Sequence, residues 1–257
     1  MNQISIEEQK SITTVIIKAA VMLLEHGAES RLIEQISLRF GKALGCDSVE
    51  MSLIPSAVVL TTLVSENSHT TTRRAHRQPI NMSVVHEILQ ICISCEHHHD
   101  NVQIVRDKLH AIRRNYYNKW LLIVTIGLSC AAFSHLHGSD WVGFGITFLA
   151  ASIGMGVRIL LSSKDFAPSI VFALSAFVIT LVASLSSYHD ISATSNIVLS
   201  SSVLLLVPGF PYINAILDVF KGYLSMAWGR WMQATVLTFM TSIGMILAMS
   251  LLKIQGW

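Results

Sequence analysis

A multi-pass α-helical membrane protein with five spans, one of them broken, and an N-terminal α/β cytoplasmic domain is the fold class this sequence predicts. Three observations carry it. Charge is strongly asymmetric: 13 of the 18 Lys+Arg lie at or before Lys119, and 12 of the 16 Asp+Glu lie at or before Asp107. The C-terminal half holds five apolar segments, each near the ~20 residues a bilayer requires. The first ~115 residues instead change period, from helical spacing to strict alternation and back, as a mixed α/β domain does. We therefore divide the chain into a cytoplasmic α/β domain, residues 1–117, and a transmembrane domain, residues 118–257.

The elements follow in order. Residues 7–26 read as a helix, with Ile12, Val15, Ile16, Ala19 and Leu23 on one face. His26-Gly27 ends it, glycine being the usual left-handed cap. A second helix runs from Glu29 to Ala43. From Ser48 to Leu53 polar and apolar residues alternate, as in a half-buried strand. Pro55-Ser56 interrupts, Ala57–Val64 is a second strand, Glu66-Asn67-Ser68 a turn, and His69–Arg73 a third strand. Helices at 81–97 and 101–114 close the domain. The spans are Trp120–Ser134, Trp141–Leu161, Ala167–Leu185, Ile197–Val219 and Gln233–Leu252, several flanked by tryptophans suited to the interface.

Loop charges set the expected orientation. The loops at 135–140 and 186–196 carry no Lys or Arg, while those at 162–166 and 220–232 carry Lys164, Lys221 and Arg230, with Arg158 close by. The positive-inside rule then puts the N-terminus in the cytoplasm and the C-terminus in the periplasm. The first residues, MNQISIEEQK, are polar and show no signal peptide. Four cysteines, Cys46, Cys92, Cys95 and Cys130, form no secreted disulfide pattern and read as thiols. A net charge of +2 gives no case for nucleic acid. The basic group Arg106 to Lys119 suits an anionic leaflet instead.

Function concentrates in Val207-Pro208-Gly209-Phe210-Pro211, within the fourth span. Pro208 and Pro211 lack an N–H and Gly209 is conformationally free, so the helix should break. Unwound backbone at membrane depth survives only beside protein or water, and broken helices carry the substrate sites of secondary transporters. A second half-helix starting near Pro211 would present a positive end, which favours a carboxylate. The alternative is a packing kink. Asn214 and Asp218 share a face of that half-helix, with Lys221 three residues on. Asp218 is the one acid expected inside a span, either a coupling group or the partner of Lys221 at the boundary.

The other candidates carry plainer readings. Ser200-Ser201-Ser202, Gly127, Ser129, Gly143, Gly145, Gly154 and Gly156 suit close helix packing. Arg158 reads as snorkelling to the interface. His26 and Glu29 flank a tight turn, where a helix cap competes with a catalytic or proton-relay role. Cys92, Cys95 and Glu96 to Asp100 resemble a metal cluster in composition but do not match tetrahedral zinc spacing, so a solvated helix end is the plainer reading and no metal is expected. No phosphate-binding loop is visible, and no cofactor is called for.

Taken together, HGAES at 26–30, SVEMSLIPSAVVLTTL at 48–63, INM at 80–82, GLSCA at 127–131 and LLLVPGFPYINA at 204–215 resemble the threonine/serine exporter family, in particular the larger subunit of its split bacterial form. The resemblance implies a secondary exporter of small carboxylates, succinate-like dicarboxylates or threonine and serine, in the bacterial inner membrane. It implies a partner, a smaller membrane subunit (YjjB type), and no enzymatic activity. Pro208, Gly209, Phe210, Pro211, Asn214, Asp218 and Lys221 would line the transport path. Two alternatives stand beside this: a membrane-anchored hydrolase-like enzyme using His26 and Glu29, and a membrane scaffold or sensor.

Overall fold

The computed structural model describes residues 5–76, 78–188 and 194–253. The first four residues, part of the 186–196 loop and the terminal Trp257 lie outside them. The chain divides into two compact units: Met1–Asn115 with Tyr212–Trp231, and Tyr116–Pro211 with Met232–Trp257.

The first unit starts with α1 (Ile6–Glu25) and α2 (Ser30–Ala43). Helix α1 is buried on more than one side, through Ile12, Val15, Ile16, Ile17, Ala20 and Leu23, because it packs against α2 and the sheet together. The sheet is an antiparallel meander of β1 (Ser48–Ile54), β2 (Ala57–Val64) and β3 (Asn67–Arg74), in the order β1-β2-β3. Its register pairs Ser48 with Leu63 and Ala57 with Arg74. In β2 every second residue, Val58, Leu60, Thr62 and Val64, is buried. The β2–β3 turn is Ser65-Glu66 rather than 66–68; Ser65 takes the left-handed conformation, φ 53°, that the tight hairpin demands. Buried Gln9 donates from Nε2 to the carbonyls of Thr62 (3.0 Å) and Asn67 (3.1 Å), tying α1 to that hairpin.

Helices α3 (Met82–His98) and α4 (Val102–Ala111) complete the contiguous part of this unit. Cys92 and Cys95 face its core. Burial pushes the Cys92 thiol up to about 12 and the Cys46 thiol to about 11, so neither is a thiolate at neutral pH. Glu96 forks onto Arg39, and Asp100 takes Lys108, so the acidic end of the Cys/His segment is committed to ion pairs.

The second unit is helical: α5 (Lys119–Leu136), α6 (Trp141–Ser162), α7 (Pro168–Ala183), a single turn α8 (Leu185–Tyr188), α9 (Ser195–Val203) with a 3-10 turn at Leu204–Leu206, and the C-terminal part of α11 (Leu224–Leu251). Its surface carries large apolar side chains, among them Trp120, Leu121, Leu149, Leu160, Ile170 and Phe239, as hydrocarbon contact requires. Small residues set the helix spacing. A Cβ added to Gly127 would stand 2.1 Å from Ser152 Oγ, and one on Gly154 2.1 Å from Ile179. Gly145 meets nothing, so it is not a packing glycine. Ser200 and Ser202 donate to carbonyls of their own helix, Asn196 (2.9 Å) and Val198 (2.6 Å).

Three helices, α5, α6 and Leu224–Leu251 (α11), are long and apolar enough to cross a bilayer among the described residues, four if a bent pair counts as one span. The expected count of five meets a shorter third span. Helix α7 has 16 residues, about 24 Å of rise against a ~30 Å hydrocarbon core. The expected fourth span is two helices, Ser195–Leu206 and α10 (Gly209–Phe220), bent by 64°. The fifth begins earlier than expected, at Leu224, and runs for 28 residues. Its first residues, to Trp231, group with the first unit, leaving Met232–Leu251 at bilayer length.

Candidate transport site

The helix break arises locally. Pro208 disfavours helical geometry in the residue before it, and Val207 is extended at φ −67°, ψ 120°. Helix α10 restarts at Gly209, two residues earlier than the expected start at Pro211. Pro211 then falls in the first turn, where an N–H would have no intrahelical acceptor. Gly209 does not use left-handed φ, and a Cβ there would meet nothing within 4 Å. Pro208 is buried, Phe210 is exposed, and Gly209 and Pro211 are half-buried.

Helix α10 ends in a Schellman turn: Gly222 at φ 86°, Tyr223 N–H to the Asp218 carbonyl (2.8 Å), Gly222 N–H to Val219 (3.1 Å). The turn reverses the chain into α11, and Tyr212 stacks edge-on against Trp231 with centroids 5.2 Å apart. This helical hairpin offers one polar face. Asn214, Asp218 and Lys221 recur at helical spacing along it.

The HGAES turn receives that face. Helix α1 also ends in a Schellman turn, with Gly27 at φ 91°, Gly27 N–H to Leu24 (3.3 Å) and Ala28 N–H to Leu23 (2.9 Å). The turn leaves the Gly27 and Ala28 carbonyls free of helical partners. Asn214 Nδ2 donates to the first (3.1 Å) and Arg230 Nη2 to the second (2.7 Å). Asp218, fully buried, accepts from the Ser30 backbone N–H at 3.3 Å, so its carboxylate sits at the positive end of α2. Its other oxygen lies 3.1 Å from Arg230 Nη1. That contact is an ion pair by distance but is not aligned as a hydrogen bond. Lys221 pairs with Glu29, and the Tyr223 hydroxyl donates to Glu34.

Residues read as two separate candidates thus form one cluster: Glu29 on one side, Asn214, Asp218 and Lys221 on the other. Of the two readings of Asp218, the pair with Lys221 does not form, because each group has a partner across the turn. His26 joins neither a catalytic dyad nor Glu29. It is fully buried, with Nδ1 3.3 Å from the Pro79 carbonyl and Nε2 unpartnered among the described residues. Arg230 was missed as a site residue. It reads as a loop charge until α11 is seen to start at Leu224, and the only signal was that Asp218 needed a cation. Arg158 has partners within its own unit: half-buried, it donates to the Leu205 carbonyl (3.3 Å), over the Phe172 ring at 4.8 Å.

The family described as "Putative threonine/serine exporter" matches residues 14–252, which take in the turn, the break and both helices of the hairpin. The chain belongs to the threonine/serine exporter family. It is 41% identical over 251 residues to the Klebsiella aerogenes protein called "Probable succinate transporter subunit YjjP", covering 97% of each chain. It is 41% identical over 252 residues to the protein of the same name from Escherichia coli strain K12, covering 98% of each. An uncharacterized Haemophilus influenzae protein is 45% identical over 141 residues, 55% of this chain and 48% of its own. No solved structure matches. Membership in this exporter family makes the chain a membrane transport protein and not an enzyme. The hydrolase reading of His26 and Glu29 falls with it.

Proposed function

We propose that this chain is one subunit of a secondary exporter of small carboxylates, succinate-like dicarboxylates or threonine and serine, in the bacterial inner membrane. The carrying observation is the buried Asp218–Arg230 pair, set between the HGAES turn and a helix that begins at a chain break. Buried charge on an apolar helix is costly and is retained for function by default. The names of its relatives supply the substrate classes, and the word "subunit" in them supports a partner. That partner is the smaller membrane subunit (YjjB type).

Residues 1–117 form the cytoplasmic domain in this reading, and 118–257 the membrane domain with five spans. The third is α7 and the fourth is the bent pair. The path runs by Pro208, Gly209, Phe210 and Pro211 to the polar face of α10, with Asn214, Asp218 and Lys221. A carboxylate or a proton that displaces Asp218 from Arg230 frees the hairpin from the turn, and transport is coupled to that exchange. Five spans leave the N-terminus in the cytoplasm and the C-terminus in the periplasm, the orientation that the loop charges favour.

Succinate and threonine efflux from a strain lacking both subunits tests this reading. Efflux returns only when this chain and the smaller subunit are supplied together. Full efflux with this chain alone refutes the two-subunit reading. No efflux of either compound with both subunits in the membrane refutes the exporter reading. A reporter placed after Trp257 gives a periplasmic signal; a cytoplasmic one refutes the five-span count.

A further inference from the structure

We propose that Arg158 binds the carboxylate of the exported compound, at a second polar position in the helical unit and separate from the Asp218–Arg230 pair. The inference rests on the carboxylate-exporter reading and adds the residue that recognises the substrate group.

The position of Arg158 follows from the helix break. In an unbroken helix the Gly209 N–H would serve the Leu205 carbonyl, four residues back. It turns instead to the Val207 carbonyl at 2.9 Å, because Pro208 forces Val207 out of the helix. The Leu205 carbonyl is released within an apolar unit, and Arg158 Nη1 donates to it at 3.3 Å. The Phe172 ring lies under the guanidinium at 4.8 Å. The planar group is therefore held by a ring on one face and a carbonyl at one edge.

Capping one carbonyl does not account for the charge. A serine, asparagine or glutamine would donate as well without bringing a cation among apolar helices. Arg158 makes no ion pair with any described acid. The other charged side chain that is mostly buried, Arg230, has a carboxylate, Asp218, at 3.1 Å. A guanidinium has five N–H donors in a fork that matches a carboxylate bidentately, and only one of its contacts here is a hydrogen bond. An orientated, uncompensated guanidinium beside a helix break is complementary to a carboxylate, the group common to succinate, threonine and serine.

Equilibrium binding of radiolabelled succinate, and of threonine, to the purified two-subunit complex tests the assignment. Arg158→Gln keeps an amide that can donate to Leu205 but removes the charge. It is expected to weaken binding at least tenfold while melting within a few degrees of the wild type. Arg158→Lys keeps the charge and loses the fork, and should fall between them. If Arg158→Gln does not accumulate, Arg158→Lys decides, with protection of the wild type by succinate against phenylglyoxal as the second measurement. Wild-type affinity in either substituted protein, or no saturable binding of either compound to the wild type, overturns the assignment. Binding that depends on Arg158 in a complex that exports nothing from cells would sink the exporter reading and leave the carboxylate site standing.

Discussion

The Asp218–Arg230 pair makes a quantitative prediction. The Asp218 side chain is 0% exposed and that of Arg230 13%. At 3.1 Å and an effective dielectric constant of about 20, their attraction is about 5 kcal/mol. The desolvation cost offsets most of this, so the pair gives little over a neutral one. Removing a single partner leaves an uncompensated buried charge, at about 3–5 kcal/mol. Asp218→Asn keeps an oxygen for the Ser30 N–H but can turn its amide towards Arg230. In purified protein it should lower Tm by about 6–20 °C, at 2–4 °C per kcal/mol for a chain of this size. Arg230→Gln should cost a similar amount, and the double variant clearly less than the sum of the two, a coupling of about 3 kcal/mol. Lys221→Met serves as the contrast. The Lys221 and Glu29 side chains are 28% and 23% exposed, and their separation should cost about 1 kcal/mol or less. A Tm shift under 2 °C for Asp218→Asn, or strictly additive effects in the double variant, would refute the reasoning.

Two further outcomes are expected. Gly244→Ala places a methyl group 2.1 Å from the Ala173 carbonyl oxygen, a backbone atom that cannot yield without separating the helices, and should deplete the protein from the membrane; Gly209→Ala, with open space around it, should keep wild-type abundance on immunoblots. The Tyr223 phenol is pushed up to about 12 by burial and then by Glu34. Since its folded value lies above the ordinary value of about 10, the stability this represents is complete below pH 10 and is lost as pH rises through 12. Tyr223→Phe should flatten the fall of Tm between pH 10 and 12, and an unchanged alkaline limb would count against the raised phenol, from burial and Glu34 together.

The local signals in the sequence were sound where one residue type has one physical use. Gly27 marks the end of α1 because only glycine takes φ 91° at no cost, and Pro208 marks the break because it forces Val207 out of the helix. The alternation in β1 and the limits of β2 were legible for the same reason. The hairpin turn was misplaced because Asn67 is a strong turn former, yet Ser65 takes the positive φ. The start of α11 was missed because Trp228, Gly229, Arg230 and Trp231 dilute the apolar signal at its first turns. The cluster itself was only half legible. Its chemistry was visible in Glu29, Asn214, Asp218 and Lys221, but not its pairing. Partners such as Ser30 and Asp218 are 188 residues apart, and no periodicity encodes so distant a contact.

The composition of the first unit from two stretches of chain has a consequence for biosynthesis. Residues 1–115 leave the ribosome with the sheet and α1 to α4 complete, yet the Ser30 N–H and the Gly27 and Ala28 carbonyls still lack their partners, and Met226 has not yet joined the core. Residues 116–211 must be translated and inserted first, which takes about 5–20 s at ordinary elongation rates. For that interval the nascent domain waits open at the HGAES turn. Arrival of the α10–α11 hairpin closes it, so completion of the first unit is timed by synthesis of the apolar helices that come between its two stretches of chain.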